Sequence, residues 1–245
     1  MTSPLAVGLL SVLNLVGGPP DVQHREALGH FRAGRDLMRA ERWDDAIDEF
    51  RMATRLDPLM SLAHYSLGQC YMATRRYGEA VGAFLGARES YHKLAALSLT
   101  DRQEVESRRR EEIEELKDSI RLFESGRAKT SSTFAMVIRL ESRLEQVESE
   151  RAKDMSPGRT PPEISLSLGS AYFRNGALAE AEREYRAAVA AEAKMGEAHN
   201  NLAVVYMLTG RLEQAERELA AAEKAGFHVN PQLKRDLQDR RRATP

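Results

Sequence analysis

The stretch that decides the fold runs from Ser61 to Lys93 and reads SLAHYSLGQCYMATRRYGEAVGAFLGARESYHK. It contains two amphipathic segments, Leu62–Thr74 and Tyr77–Ser90, in which apolar residues recur at i, i+3, i+4 and i+7, the pattern of one helix face. Small and large side chains alternate along it at fixed places: Leu67-Gly68, Tyr71, Ala80, Phe84 and Ala87. Small residues let two helices approach at the short end of the usual separation of about 8–10 Å, and the aromatics fill the space beside them.

The same order recurs in both directions. Upstream, the frame Ala27–Met60 carries Ala33-Gly34, Leu37, Ala46, Phe50, Ala53 and Pro58. Downstream, a frame opening at Pro162 carries Leu168-Gly169, Tyr172, Ala181, Tyr185 and Ala188, and one opening at Gly196 carries Leu202-Ala203, Tyr206, Ala215, Leu219 and Ala222. Short polar turns divide each frame: Ala40-Glu41-Arg42, Asn175-Gly176 and Thr209-Gly210. Gly after the last periodic residue suits a helix end that needs positive φ.

Counted from the first residue of each frame, these residues fall at positions 7, 8, 11, 20, 24 and 27. There the chain resembles the tetratricopeptide-repeat (TPR) family, whose repeat is about 34 residues long. The resemblance covers residues 27–93 and 162–229. It departs from the family pattern at position 4, where His30, His64, Ser165 and His199 replace the usual Trp. Only the first frame ends in Pro, so the second helices of the other three are expected to run on.

Between the two pairs of frames, residues 93–161 do not follow the repeat: Gln103, Glu112 and Ser119 fall at signature places. Two charged helical segments are expected instead. The first starts at the capping-box spacing Thr100-Asp101-Arg102-Gln103 and runs to about Phe123, with Ile113, Leu116, Ile120 and Phe123 spaced 3, 4, 3. The second spans about Thr133 to Lys153, with Val137, Leu140, Leu144 and Val147 in the same spacing. They read as an antiparallel hairpin with arms roughly 33 Å long. Three placements are open: the arms pair only with each other, they pair with a second copy to make a homodimer through the 101–153 helices, or they pack along the solenoid. Arg108-Arg109-Arg110 beside Glu111, Glu112, Glu114 and Glu115 reads as a solvated face with pairs such as Arg108–Glu112. Met155–Pro162 is a linker by composition.

The expected organisation is therefore an all-α TPR-type solenoid of four motifs arranged as 2+2. An apolar N-terminal segment occupies 1–22, repeats one and two 23–92, the hairpin and linker 93–161, repeats three and four 162–229, and a capping helix with a basic tail 230–245. Pro231 opens the cap and Lys234, Arg235, Asp236 and Asp239 give it the polar outer face a solenoid end requires. Leu5–Val16 is too short to span a bilayer, which needs about 20 apolar residues. It has the length of a signal-peptide core without a basic leader, so a cytoplasmic and an exported location both stay open.

Composition excludes several function classes. Charged residues are 30% and the formal net charge is −1, so no basic face invites nucleic acid. Cys70 is the single cysteine, so the chain has neither an internal disulfide nor a Cys-based zinc site. Phosphate-cradling glycine motifs, H-E-x-x-H and G-x-S-x-G are absent. No catalytic residue, metal or cofactor is expected. His30, His64 and His199 share position 4 and read as packing residues about a repeat apart, too far to share a metal.

The resemblance implies a non-catalytic scaffold that binds a partner protein or peptide in its concave groove. In the family, positions 2, 5, 9, 12 and 13 of each first helix line that groove. Carried over, repeat one offers Phe31, Arg35, Met38 and Arg39, and repeat two Leu62, Tyr65, Gln69 and Met72. Repeat three offers Leu166, Ser170, Phe173 and Arg174, and repeat four Glu197, Asn200, Val204 and Met207. Such a surface suits an extended or helical peptide with apolar anchors and an acidic residue. The carboxylate clamp of chaperone-binding TPR domains is missing, since Phe31, Arg35 and Ser66 stand where it needs Lys and Asn. Two alternatives remain: a self-assembling structural protein built on the hairpin, and the regulatory subunit of a separate enzyme.

Overall fold

The structure is a computed structural model that describes residues 20–95, 102–125, 131–152 and 160–243. The apolar segment Leu5–Val16, the capping position Thr100-Asp101, most of the loop between the hairpin arms and residues 155–159 of the linker lie outside them. Eleven helices and no strand are found among the described residues. Repeat one is α1 (Pro20–Arg39) and α2 (Trp43–Leu56); repeat two is α3 (Ser61–Ala73) and α4 (Tyr77–Ala95). The inserted arms are α5 (Arg102–Glu124) and α6 (Ser131–Ala152). Repeats three and four are α7 (Pro162–Arg174), α8 (Leu178–Ala191), α9 (Gly196–Leu208) and α10 (Leu212–Lys224), and α11 (Pro231–Ala243) follows.

The turns inside the repeats share one geometry. Position 15 of each frame has positive φ: Glu41 at 56°, Arg75 at 59°, Gly176 at 82° and Gly210 at 76°. The next residue then donates its N–H back five residues, Arg42 to Leu37 O, Arg76 to Tyr71 O, Ala177 to Tyr172 O and Arg211 to Tyr206 O. This is the Schellman arrangement that satisfies carbonyls left over at a helix end. Repeats three and four use glycine there and repeats one and two do not, which is why only some of the turns announce themselves in sequence.

Only one of the second helices expected to run on does so. α4 continues to Ala95, whereas α8 stops at Ala191 because Glu192 turns extended, as Asp57 does after α2, and α10 stops at Lys224. A positive-φ Gly226 then leads toward α11. Asn230 Oδ1 accepts the Gln232 N–H at 2.8 Å to cap α11, and its Leu237 is buried with Val229 in the core of repeats three and four. Arg241 pairs with Glu216 on α10 at 2.6 Å.

The core does not stop at the insertion. Ile164, Leu168 and Ala171 of α7 belong to the same buried cluster as Leu67, Cys70, Tyr71, Phe84 and Ala87 of repeat two. Across that joint Arg88 on α4 donates to both oxygens of Glu184 on α8 at 3.1 Å. His92 near the end of α4 lies 2.9 Å from Thr160 just before α7. The chain therefore leaves and rejoins the solenoid at one place, and the four repeats stack as one body with the hairpin added at their side.

Candidate functional site

The first helices of the repeats are α1, α3, α7 and α9, which in the family line the inner face. Position 5 is used inside the solenoid. Phe31 packs on Phe50 with ring centroids 5.8 Å apart, and Tyr65 on Phe84 at 5.4 Å. The Tyr65 hydroxyl also bonds to Ser167 Oγ on α7 at 2.9 Å, tying repeat two to repeat three. Burial raises the Tyr65 phenol above its usual range. Phe31, Met38, Tyr65 and Leu166 are all buried. Arg35, Leu62, Gln69, Met72, Ser170, Phe173 and Asn200 keep part of their surface exposed.

The hairpin meets α1, α3 and α9, so its arms do not pair only with each other but also pack along the solenoid. Its own apolar stripe is turned inward: Ile113, Leu116 and Val147 are buried together, with Leu140, Leu144 and the solenoid's Leu62 against them. Glu115 of α5 is only 4% exposed and sits between two arginines of α1. Arg32 Nη2 donates to its Oε1 at 2.5 Å and Arg35 Nη1 to its Oε2 at 3.4 Å. The bond to Glu115 lifts Arg32 above its usual range. Ser119, one turn further along α5, accepts from Arg35 at 3.4 Å.

Three further polar contacts fix the arms. His24 of α1 stands between carboxylates, with Nδ1 2.5 Å from Asp57 Oδ2 and Nε2 2.6 Å from Glu111 Oε2. Ionised carboxylates only accept, so both bonds form together only with the doubly protonated ring. On α6, Arg139 donates to Glu197 of α9 at 2.7 Å, and Arg143 donates to Glu112 of α5 at 2.7 Å while stacking over Tyr91 at 5.2 Å. The acidic run on α5 is therefore the solvated face expected from sequence only in part: Glu114 is exposed, whereas Glu112 and Glu115 turn inward and Glu111 reaches His24, because α1 and α6 supply the cations. The Arg108 side chain of the expected Arg108–Glu112 pair lies outside the described residues. The sequence reading does not single out Arg32, His24 or Arg139, and it takes Glu115 only as part of a solvated face. The one available signal was the spacing of Glu111, Glu112 and Glu115, which puts all three on one side of a helix.

The position-4 histidines each find a partner, His30 and His199 within their own repeat and His64 at the end of the repeat before. His30 lies 2.7 Å from Glu49 and His199 2.6 Å from Glu218, the same pair of frame positions, while His64 bonds Pro58 O and is held below its usual range by burial. Among the described residues no group of three or more His, Cys, Asp or Glu could hold a metal ion. Burial pushes the Cys70 thiol up to about 12, so it is not a thiolate at neutral pH. No helix among the described residues is long and apolar enough to cross a membrane.

Comparison with known proteins agrees with the repeat geometry. The tetratricopeptide-repeat family matches residues 31–93 and again residues 155–235, together more than half of the chain. The chain belongs to the tetratricopeptide-repeat family. Among solved structures, this TPR protein is similar to PilW, a type IV pilus biogenesis factor, at 16% identity over 89% of this chain and 87% of that one, with a TM-score of 0.42. It is similar to MamA at 15% identity over 79% and 94%, with a TM-score of 0.30. It is also similar to YrrB, a TPR protein with an unusual peptide-binding site, at 15% identity over 88% and 92%, with a TM-score of 0.29. The family assignment rests on the two repeat matches and not on these scores. No curated protein sequence matches the chain. As a TPR solenoid it is built as a protein–protein interaction scaffold, an architecture whose stacked repeats present an extended surface to partners.

Proposed function

We propose that this chain is a non-catalytic adaptor that holds a helical or extended segment of a partner protein on the inner face of its solenoid. The observation that carries this reading is the hairpin itself. α5 rests on α1 and α3 as a helix rests in a receptor groove, with a buried carboxylate between two arginines and an apolar contact at Leu62. The same side chains would hold a partner of that kind. Arg35, Leu62, Gln69, Met72, Ser170, Phe173 and Asn200 are proposed as contact residues. Phe31, Met38, Tyr65 and Leu166 support them from below.

Affinity capture from cell extract tests this reading, with wild type beside a Met72→Ala/Phe173→Ala variant whose fold is first checked by thermal melting. Partner captured by wild type and lost with the variant places binding on the inner face. Equal capture by both moves it to another surface and overturns the reading.

A further inference from the structure

We propose that the α5–α6 hairpin is an internal ligand of the inner face, and that a partner helix carrying a carboxylate between apolar side chains displaces it from α1 and α3. The inference rests on the adaptor reading and adds a competitor and a partner chemistry to it.

The anatomy of the contact is that of a releasable piece. The hairpin buries its apolar stripe, Ile113, Leu116 and Val147, between its own arms. Its contacts with the apolar side chains of the solenoid are Met136 against the repeat core, the hairpin cluster at Leu62, and Arg143 stacked over Tyr91. What fastens it is polar: Glu115 with Arg32 and Arg35, Glu111 with His24, and Arg139 with Glu197. Polar contacts of this kind mark surfaces within a chain that come apart, whereas large apolar contacts mark permanent ones. The joint between repeats two and three is of the second kind, with Ile164, Leu168 and Ala171 inside the core of repeat two. The hairpin also leaves and rejoins at one point, where His92 meets Thr160. It can therefore lift as a unit without parting the repeats.

The same contact defines what would replace it. On the solenoid side, Leu28, Phe31 and Leu62 offer apolar wall beside His24, with Arg32 and Arg35 bonding Glu115 on the same helix face. On the α5 side, the matching features are Glu111 and Glu115, with the cluster of Ile113 and Leu116 meeting the solenoid at Leu62. A competing helix needs a carboxylate at the place of Glu115 and apolar residues on the turns next to it.

The test is binding of a fluorescein-labelled synthetic peptide with the sequence of residues 102–124 to the full chain. Three proteins are compared: wild type, E111Q/E115Q, and E111Q/E115Q/R32Q/R35Q, each first shown to keep its helical content and cooperative melt. The hairpin-side changes weaken the internal ligand and leave the receptor intact. E111Q/E115Q should bind the peptide about tenfold more tightly than wild type, because the share of molecules with an open face rises, and the quadruple variant should lose that binding. Release itself is read separately in the otherwise unaltered chain, by nitroxides on Asp36→Cys and Asp118→Cys, both exposed positions, with the buried Cys70 left unlabelled. A longer-distance population should grow as salt rises from about 50 mM to about 500 mM, because ions screen the exposed part of the fastening. A distance distribution indifferent to salt overturns release. Release without peptide binding to any of the three proteins rejects the inner face as a helix receptor. Equal peptide affinity for wild type and E111Q/E115Q rejects the hairpin as its competitor.

Discussion

At the scale of single residues, the repeat is a set of matched pairs. A Cβ placed on Gly68 would come within 2.6–2.8 Å of the Phe84 ring, one on Gly34 within 2.8–3.0 Å of Phe50, and one on Gly169 within 2.7 Å of Tyr185. Wherever position 24 is aromatic, position 8 is glycine. In repeat four position 24 is Leu219, and position 8 is Ala203. Gly68→Ala should therefore destabilise the protein by about 1–3 kcal/mol, the usual cost of overpacking, despite its better helix propensity. Adding Phe84→Leu to Gly68→Ala, which copies repeat four, should recover part of that loss in a double-mutant cycle read by chemical denaturation. Additive losses would mean that the pair is not coupled. The glycines were visible in the sequence, but their ring partners were identifiable only once the repeat frame was known.

A second residue makes a pH prediction. Glu163 on α7 is buried, its Oε2 has no hydrogen-bond partner among the described residues, and burial raises its carboxyl above the usual range. A raised folded value means that its favourable contribution is complete below the unfolded value of about 4.3 and is lost as pH rises through the folded one. The charged form bears the cost of burial. Glu163→Gln should raise Tm at pH 7 by roughly 2–4 °C, the shift that about 1 kcal/mol makes in a domain of this size. The gain should vanish at about pH 4 and below, and a fall in Tm at pH 7 would show that the charge is stabilised in place.

At the scale of elements, the hairpin shows what a sequence pattern can and cannot carry. Its arms were legible because Ile113, Leu116, Leu140, Leu144 and Val147 keep the 3, 4 spacing of a helical seam, and that spacing is local. Its placement was not legible. The groups that dock it lie far away in the chain: His24 and Arg32 differ in no way from surface charges until the fold brings them to α5, and Arg35 and Glu197 read as groove lining for a partner. For the same reason the position-5 residues Phe31 and Tyr65 read as groove lining, although their rings face α2 and α4. Because the hairpin has a core of its own, Leu116→Ala should loosen the arms before the repeats. Leu116 is 1% exposed, and removal of such a side chain costs about 2–5 kcal/mol. Hydrogen exchange should speed up across α5 and α6 and stay unchanged in α3, α4, α7 and α8. Equal acceleration everywhere would make hairpin and solenoid one cooperative unit.

At the scale of the molecule, the two pairs of repeats form one solenoid through a joint the insertion does not interrupt. Repeat two and α7 share a buried core, and Arg88 and Glu184 close over it. Since His92 and Thr160 meet at 2.9 Å, a short Gly/Ser loop in place of residues 97–158 should leave a folded four-repeat solenoid that melts cooperatively. Its inner face would then be open along its length. Two separate transitions would show that the halves need the hairpin to hold them together.

The account turns on the hairpin lying on the inner face, and methyl NMR of the full-length chain tests that most directly. Leu62 of α3 packs against the buried cluster of Ile113, Leu116 and Val147, so its methyl groups should show cross-peaks to methyls of that cluster. Cross-peaks within the cluster, but none from it to Leu62, would place the hairpin off the solenoid and contradict the account.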